Sequence, residues 1–291
     1  MFFTFALIGS TASGKSAIAH KLALKYDLVI LSLDSLCVYK QINIASAKPS
    51  KKDMKEVKYF GIDLIDVDEK FNVSLFFEEY ERAKLFAKAK NKALLIVGGS
   101  SFYLKSLMQG LSEYVKDIEC TLNNDELYEL VKRVDKNAKI EKNDIYRLKK
   151  WYSIYKTSGE IPSVFLAKTL KKPPIDKLEI FYLNLDKEKI IKNIALRTAN
   201  MLDIGLINEA KELFLRYDER LKPLNSIGLK ECKDFLDNKI SRKELEILIN
   251  THTAQLAKRQ RTFNKKFTST KLNENAFEVL DEWLKNKLKV K

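Results

Sequence analysis

The chain has 291 residues, 45% hydrophobic and 32% charged, which is enough for one large α/β domain with a smaller inserted lobe. Its net charge is +14, which favours a polyanionic partner, nucleic acid before an anionic membrane surface, although a lysine-rich proteome gives the same excess. The three cysteines show no CxxC spacing, and no apolar run approaches membrane-spanning length. These features exclude a zinc-ribbon or disulfide framework and predict a soluble, cytoplasmic protein without membrane attachment.

The chain begins with an apolar run, FFTFALI at 2–8, followed directly by GSTASGKS at 9–16. Because the run has no basic segment before it, we predict a buried strand and not a secretion signal. GSTASGKS fits G-x-x-x-x-G-K-S, in which backbone N–H groups surround a diphosphate, Lys15 contacts its oxygens and Ser16 binds Mg²⁺. The helical spacing of AIAHKLALKY at 17–26 favours this phosphate loop over a plain glycine turn.

DLVILSLD at 27–34 predicts a second strand that ends in Asp34. The carboxyl ends of parallel strands line the ligand crevice, so we expect Asp34 beside the phosphate loop, where it would bind Mg²⁺ or accept a proton. A helix N-cap explains an Asp at this position equally well.

SLFFEEYERAKLFAKAK at 74–90 has helical spacing, and KALLIVGGS at 92–100 predicts a further strand. Strands separated by such helices indicate right-handed βαβ units and a parallel sheet covered on both faces. LLIV ends in Gly98, Gly99 and Ser100, without the strand-end acid that holds Mg²⁺ in ATPases and GTPases. The glycines permit close approach of a ligand to which Ser100 offers a hydroxyl, or they form a tight turn without a ligand.

The pattern changes at 111–176, where strand signals stop and helices are predicted at 125–134 and 144–156. We predict a helical lobe over 111–176 inserted into a core of 1–110 and 177–291. EIFYLNL at 179–185 predicts a late strand of the sheet, and everything after position 186 is predicted to be helical.

Two stretches concentrate basic side chains. One is RLKKWYSIYK at 147–156, in which cations alternate with aromatic residues as in proteins that bind unstacked RNA bases. The other is LAKRQRTFNKK at 256–266, in which Lys258, Arg261 and Lys265 fall on neighbouring helical turns. The alternative for 147–156 is that its aromatic residues form a helix core, and the alternative for 256–266 is a basic helix face exposed to solvent.

Six blocks in order resemble the bacterial tRNA dimethylallyltransferase family, which prenylates N6 of adenosine 37 beside the anticodon. After GSTASGKS they are DSLCVYKQINIASAKPS (34–50), GGSSFYLKSLMQGLS (98–112), NDIYRLKKW (143–151), RTANMLDIGLINEAKEL (197–213) with SIGLKE (226–231), and TAQLAKRQRT (253–262).

The resemblance implies an α/β fold with a P-loop nucleoside-triphosphate-hydrolase-like parallel sheet, flanking helices and an inserted lobe that grips the anticodon stem-loop. The loop's ligand is then dimethylallyl diphosphate, with Mg²⁺ as cofactor, tRNA as acceptor and a monomer as the expected state. The implied catalytic residues are Lys15, Asp34 and Ser100, and the implied metal ligands are Ser16 and Asp34. The implied donor-binding residues are Gly9, Ser10, Thr11, Ala12, Ser13, Gly14, Lys15, Ser16 and Arg197. The implied tRNA-binding residues are Asp34, Ser35, Leu36, Cys37, Ser100, Arg147, Lys150, Lys258, Arg259 and Gln260.

The sequence departs from the family pattern at several positions. They are Ile62 and Asp63 in place of His-His, Ser100 for Thr, Leu229 for Tyr, Ala254 for Arg, Phe263 for Trp, and Leu122 near the place of an arginine. These differences bear on tRNA contacts more than on chemistry. Three rival functions share features with this one: a small-molecule kinase, a prenyltransferase acting on free AMP, and a nucleic-acid-binding module. The missing strand-end acid argues against the kinase, and the basic C-terminal half argues against the prenyltransferase acting on AMP. The intact phosphate loop argues against a binding module without catalysis.

Overall fold

A fully parallel sheet organises the chain. The computed structural model describes residues 2–289, and in this part of the chain six strands pair in the order β3-β2-β4-β1-β5-β6. The strands are β1 (Thr4–Gly9), β2 (Val29–Ser32), β3 (Tyr59–Phe60), β4 (Leu94–Gly98), β5 (Glu179–Leu183) and β6 (Thr270–Leu272). This arrangement confirms the predicted α/β class with a parallel sheet.

Helices connect the strands within residues 2–289, and several helices of the chain pack on the sheet. The helices are α1 (Lys15–Tyr26), α2 (Lys51–Glu56), α3 (Val73–Ala89), α4 (Ser101–Gln109), α5 (Asn124–Val134), α6 (Ile145–Ser158), α7 (Pro162–Lys168), α8 (Lys187–Asp203), α9 (Leu206–Arg216), α10 (Leu229–Leu236), α11 (Arg242–Asn264) and α12 (Ala276–Leu288). Side chains define several of their starts: Asn123 and Ser241 close capping boxes with Glu126 and Glu244, and Asn72 accepts from the Leu75 N–H.

The prediction that everything after position 186 is helical is wrong, because β6 adds a parallel edge strand beside β5. The sequence did not reveal it because Thr270 and Lys271 are exposed on the edge, so only Leu272 contributes an apolar signal. The two-residue strand β3 was missed as well, since two residues are too few to establish an alternating pattern.

The chain divides into two compact units. The first contains the residues up to Lys105 and those from Lys177 onward, and its largest apolar core packs α1, α8 and α12 on the sheet around Phe5, Leu95 and Phe181. The second unit is Ser106–Asp176, whereas the sequence predicted a lobe over 111–176.

The second unit has its own small core, built from α5 and α6. Leu127, Val131, Leu148 and Trp151 form it, and the Trp151 indole N–H donates to Asp135 at 2.9 Å. None of the helices within residues 2–289 is long and apolar enough to cross a membrane.

Candidate active site

The phosphate loop joins β1 to α1 at the carboxyl edge of the sheet. Gly14 begins the helix with φ of 85°, which a side chain would strain, and Gly9 leaves no room for one, since an added Cβ would lie 2.8 Å from Ser13 Oγ. The Lys15 ammonium folds back and donates to the Ser10 carbonyl at 3.0 Å. The loop therefore has the backbone form that places N–H groups around an anion.

Side chains from two distant helices hold this loop. From α8, the Asn193 amide donates to the Ala12 carbonyl at 2.9 Å, and the Arg197 guanidinium donates to Thr11 Oγ1 at 3.0 Å. From α11, Gln260 Oε1 accepts the Thr11 N–H at 2.7 Å. Arg197 was predicted to lie at the donor site and does lie against the loop. Gln260, predicted to bind tRNA, contacts the loop as well.

A cavity of about 860 Å³ opens beside the loop, within the first unit. Thr11, Lys15 and Ser16 line one side of it, and the turn from Asp34 to Cys37 lines another. Further walls come from Gly98 at the end of β4 and Gly99 after it, from residues 45–49, from Arg197 and Met201 of α8, and from Gln260 of α11. Donor-site and acceptor-site residues predicted from separate blocks thus share one cavity.

Ser100 has a different position from the other predicted catalytic residues. It does not line this cavity, and its N–H donates to the Leu33 carbonyl at 3.1 Å while its own carbonyl accepts the Tyr103 N–H at 3.1 Å. Its backbone therefore fixes the turn between β4 and α4. Beside it, Gly99 packs against the Gln260 side chain, so an added Cβ there would displace the Gln260 amide.

Asp34 follows β2 and is half-buried at the cavity. Its Oδ1 accepts the N–H groups of Leu36 at 2.8 Å and Cys37 at 3.3 Å, so one oxygen caps the turn that follows. Its Oδ2 makes no hydrogen bond with any of residues 2–289. The capping role and an available carboxylate oxygen thus coexist in one side chain, because the two oxygens are separate acceptors.

Burial and neighbouring charges shift the pKa values of several ionisable groups at the cavity. It lowers the pKa of Lys15 to about 8, with the positive charge of Arg197 acting in the same direction and Asp34 opposing both. Burial also lowers the pKa of Arg197, again against the attraction of Asp34. Burial raises the pKa of the Cys37 thiol well above its usual value. Lys15 is buried and Arg197 half-buried, so an anionic ligand would stabilise the charged form of both.

Ser16 and Asp34 were predicted to bind Mg²⁺. Both line the cavity, the Ser16 residue is exposed, and each offers an oxygen, which is the ligand type that Mg²⁺ prefers. The donor set therefore fits that ion.

The last two turns of α11 carry Lys258 and Arg259, and Lys265 and Lys266 follow the helix; all four are exposed. None of them forms an ion pair with any residue in the described range 2–289. Three of these residues, Lys258, Arg259 and Lys266, line a shallow depression of about 480 Å³ together with Gln255, Thr262 and Phe263. This surface, the α11 basic face, is a row of cations without a carboxylate partner, in which the Lys266 ammonium lies 5.0 Å from the Phe263 ring centre.

Arg147 and Lys150, the two residues of the second unit that were predicted to bind tRNA, both have partners within that unit. Arg147 pairs with Asp144 at 3.3 Å, although its side chain is 65% exposed. Lys150 donates to Asp117 at 2.7 Å and to the Val115 carbonyl at 2.5 Å, and its ammonium lies 4.6 Å from the Tyr114 ring centre. Lys150 therefore stabilises the fold of its own unit.

Sequence reasoning missed Asn193, one helical turn before Arg197, as a support of the loop. It also missed Glu209 and Lys48, which hold another wall of the cavity. The spacing of Asn193 and Arg197 on one helix face was the available signal for the first. The partners of Glu209 are backbone N–H groups, and Lys48 binds two backbone carbonyls besides the Asp63 and Asn43 side chains; backbone partners leave no mark in a sequence.

A parallel sheet, a phosphate loop at its carboxyl edge and a strand-end carboxylate in the same cavity define a P-loop-type core. The profile of the family described as "IPP transferase" matches residues 37–267. The tRNA dimethylallyltransferase of Campylobacter lari is 58% identical over 288 residues, 99% of each chain, and that of Campylobacter jejuni subsp. jejuni is 60% identical over 94% of each. The chain belongs to the IPP transferase family.

Solved structures agree on the fold. The tRNA isopentenylpyrophosphate transferase of Staphylococcus epidermidis superposes with a TM-score of 0.69 at 24% identity, covering 98% of this chain and 99% of its own. A eukaryotic dimethylallyltransferase acting on tRNA gives a TM-score of 0.76 at 25% identity, covering 93% of this chain and 73% of its own.

Proposed function

We propose that this chain transfers the dimethylallyl group of dimethylallyl diphosphate to N6 of adenosine 37 in tRNA, releasing diphosphate. That it is a prenyltransferase acting on tRNA follows from its family and from full-length relatives of that activity. The observation that carries the specific reaction is the free Oδ2 of Asp34 in the cavity that also contains the phosphate loop.

The donor side is built to hold and then release a diphosphate. The loop N–H groups, the Lys15 ammonium and the Arg197 guanidinium are all available to diphosphate oxygens, and their charge is only partly balanced by Asp34. As the bond between C1 and oxygen breaks, negative charge grows on the leaving diphosphate, and these fixed cations stabilise it most in the transition state. Ser16 and Asp34 would hold Mg²⁺, which when bound adds positive charge to the same leaving group.

The acceptor is an exocyclic amine, which is a weak nucleophile and must lose a proton as the new C–N bond forms. An adenine flipped out of the anticodon loop would reach the cavity and present N6 to C1 of the donor. Holding the two reactants in line supplies much of the rate enhancement. Asp34 Oδ2 accepts the N6 proton, while Oδ1 keeps its bonds to Leu36 and Cys37 and fixes the carboxylate plane.

The roles of Ser100 and of the tRNA-binding residues remain predictions. The Ser100 hydroxyl would orient the amine at the edge of the site. The α11 basic face would contact RNA phosphates, and Arg147, with its exposed side chain, would do so from the helical lobe. Ser35, Leu36 and Cys37 would contact the flipped nucleotide from the turn after Asp34.

Asp34→Asn tests the proposed base. Asparagine retains the shape and an oxygen that caps the turn but removes the basicity, so kcat should fall by about 10² to 10⁴. The dissociation constants for donor and tRNA, measured at pH 7 by calorimetry and filter binding, should change much less. A collapse of donor affinity with kcat retained would instead make Asp34 chiefly a metal ligand.

The acceptor is tested directly by incubation with radiolabelled dimethylallyl diphosphate and either tRNA or AMP. Label in tRNA alone is expected, and nuclease digestion should recover it in the nucleoside of position 37. Label in AMP, or phosphoryl transfer from ATP at comparable rates, would overturn the proposal.

A further inference from the structure

The segment 43–49, of which residues 45–49 form one wall of the cavity, belongs to no strand or helix. Asn43–Ala47 form one turn, in which the Ala47 N–H donates to the Ile44 carbonyl at 2.9 Å and the Lys48 N–H donates to the Asn43 carbonyl at 3.2 Å. The Ser46 hydroxyl donates to the Ile42 carbonyl at 2.7 Å and lies 3.1 Å from the Asn43 carbonyl. Ala47 has φ of 49°, a strained value for a residue with a side chain. These bonds are local to the turn, so contacts with other elements must fix its position at the cavity.

A carboxylate from a distant helix satisfies the start of this turn. On α9, Glu209 Oε2 accepts the N–H groups of Asn43 and Ile44, both at 2.8 Å, and Oε1 accepts the Ala45 N–H at 2.9 Å. Three successive N–H groups that converge on one anion form a nest. Here the anion is supplied by the protein itself, from more than 160 positions along the chain.

An ammonium holds the other side of the same segment. The Lys48 side chain is only 4% exposed, and its Nζ donates to the Tyr39 carbonyl and to Asp63 Oδ1, each at 2.5 Å. It also lies 3.3 Å from the Lys40 carbonyl and from Asn43 Oδ1. Two charged side chains thus fix the segment: Glu209 accepts from its N–H groups, and Lys48, which belongs to the segment, donates to oxygens of Tyr39, Lys40 and Asp63 outside it.

This wall is continuous with the turn that carries Asp34. The Cys37 thiol donates to the Ser46 carbonyl at 3.7 Å, and Ala45, Ser46, Ala47 and Lys48 line the cavity. The donor loop uses a separate set of contacts, from Asn193, Arg197 and Gln260, none of which involves residues 43–49. Displacing the wall should therefore disturb the acceptor side of the cavity and leave the donor side intact.

We propose that Glu209 and Lys48 are positioning residues for the tRNA acceptor: their charged groups bind protein atoms and fix the wall against which the flipped nucleotide lies. The assignment of that wall to the acceptor rests on the proposed function. In Glu209→Gln one oxygen becomes an NH₂ group, which cannot accept, so at least one of the three N–H groups loses its partner. Misplacing a catalytic wall by about 1 Å can cost about 10²-fold in rate.

The test compares Glu209→Gln and Lys48→Met with control variants of exposed neighbours. Glu212→Gln lies on the same helix with its side chain 69% exposed, and Lys40→Met lies on the same loop with its side chain 48% exposed. Hydrogen exchange of peptides that cover 42–48 reports the wall without reference to activity. kcat/KM with tRNA as the varied substrate and the dissociation constant for dimethylallyl diphosphate report the two sides of the cavity.

The expected result is faster exchange over 43–48 in both test variants, a fall of about 10- to 100-fold in kcat/KM for tRNA, and donor affinity within about twofold of wild type. The controls should match wild type throughout. Glu209→Asp, which retains a carboxylate on a shorter side chain, should give intermediate values and keeps the test available if Glu209→Gln folds poorly.

Wild-type exchange over 43–48 in Glu209→Gln would overturn the proposal, as would faster exchange without loss of kcat/KM for tRNA. An equal loss of donor affinity would also overturn it, since the wall would then serve the whole cavity. If the wild-type enzyme labelled AMP and not tRNA, the proposed function would fail, while the exchange data would still decide whether these side chains hold the wall.

Discussion

The buried Lys15 ammonium predicts a pH dependence of donor binding near pH 8. Burial beside Arg197 lowers its pKa to about 8 in the protein without ligand, whereas a bound diphosphate would favour the charged form. The dissociation constant of the donor should then be proportional to 1 + 10^(pH − 8). Between pH 7 and pH 9 that factor grows about tenfold, so donor affinity should fall about tenfold.

The same group has a measurable effect on stability, with a definite sign. The pKa of Lys15 is lower in the folded protein than in the unfolded chain, so the unfolded chain binds more protons between about pH 8 and 10.5 and stability rises with pH across that window. Below pH 8 the shift of about 2.5 pKa units lowers the free energy of unfolding by about 3 kcal/mol. Lys15→Met removes this cost but also the bond to Ser10, about 1 kcal/mol, so a net gain of about 2 kcal/mol is expected at pH 7.

Calorimetric titration of dimethylallyl diphosphate at pH 7, 8 and 9 measures the first effect, and denaturant unfolding without donor measures the second. Lys52→Met is the control, because Lys52 is 83% exposed on α2 and does not line the cavity, so it should leave both the tenfold change and the stability unaltered. Constant donor affinity from pH 7 to 9 in the wild type, or lower stability of Lys15→Met at pH 7, would refute the reasoning.

The remaining predictions concern RNA binding and packing. Replacing Lys258 and Arg259 by Ala should weaken tRNA binding and flatten the slope of log K against log salt by about 0.7 per lost phosphate contact, while Lys52→Ala, an exposed control, should not; an unchanged slope would make these cations a solvated face. Gly98→Ala should lower the free energy of unfolding by about 1–3 kcal/mol, because its Cβ would lie 2.6 Å from Leu33 Cβ. Gly159→Ala, with no heavy atom within 4 Å of the added carbon, should show only the cost of its φ of 69°, and equal losses in the two variants would argue against the steric cause.

The sequence predicted the sheet and the phosphate loop because both leave local signals. Continuous apolar runs mark strands buried on both faces, and the glycines at positions 9 and 14 are required by backbone geometry that is visible in the structure. β3 and β6 escaped detection because edge strands of two or three residues have few buried positions. The site residues that could be named from sequence lie at strand ends and helix starts, where the fold class dictates position.

The supports of the site could not be named because most of their partners are backbone atoms. Glu209 binds three N–H groups, and Lys48 binds two carbonyls as well as the Asp63 and Asn43 side chains; almost every residue type presents those backbone groups. Asp34 is another residue whose role the sequence could not decide. Its position at the end of a strand predicted either a cap or a base. In the structure Oδ1 caps the turn, while Oδ2 stays available. A carboxylate fixed through one oxygen presents its other oxygen in a constant direction. Capping the turn through Oδ1 would therefore make Oδ2 of Asp34 suitable as the proposed base.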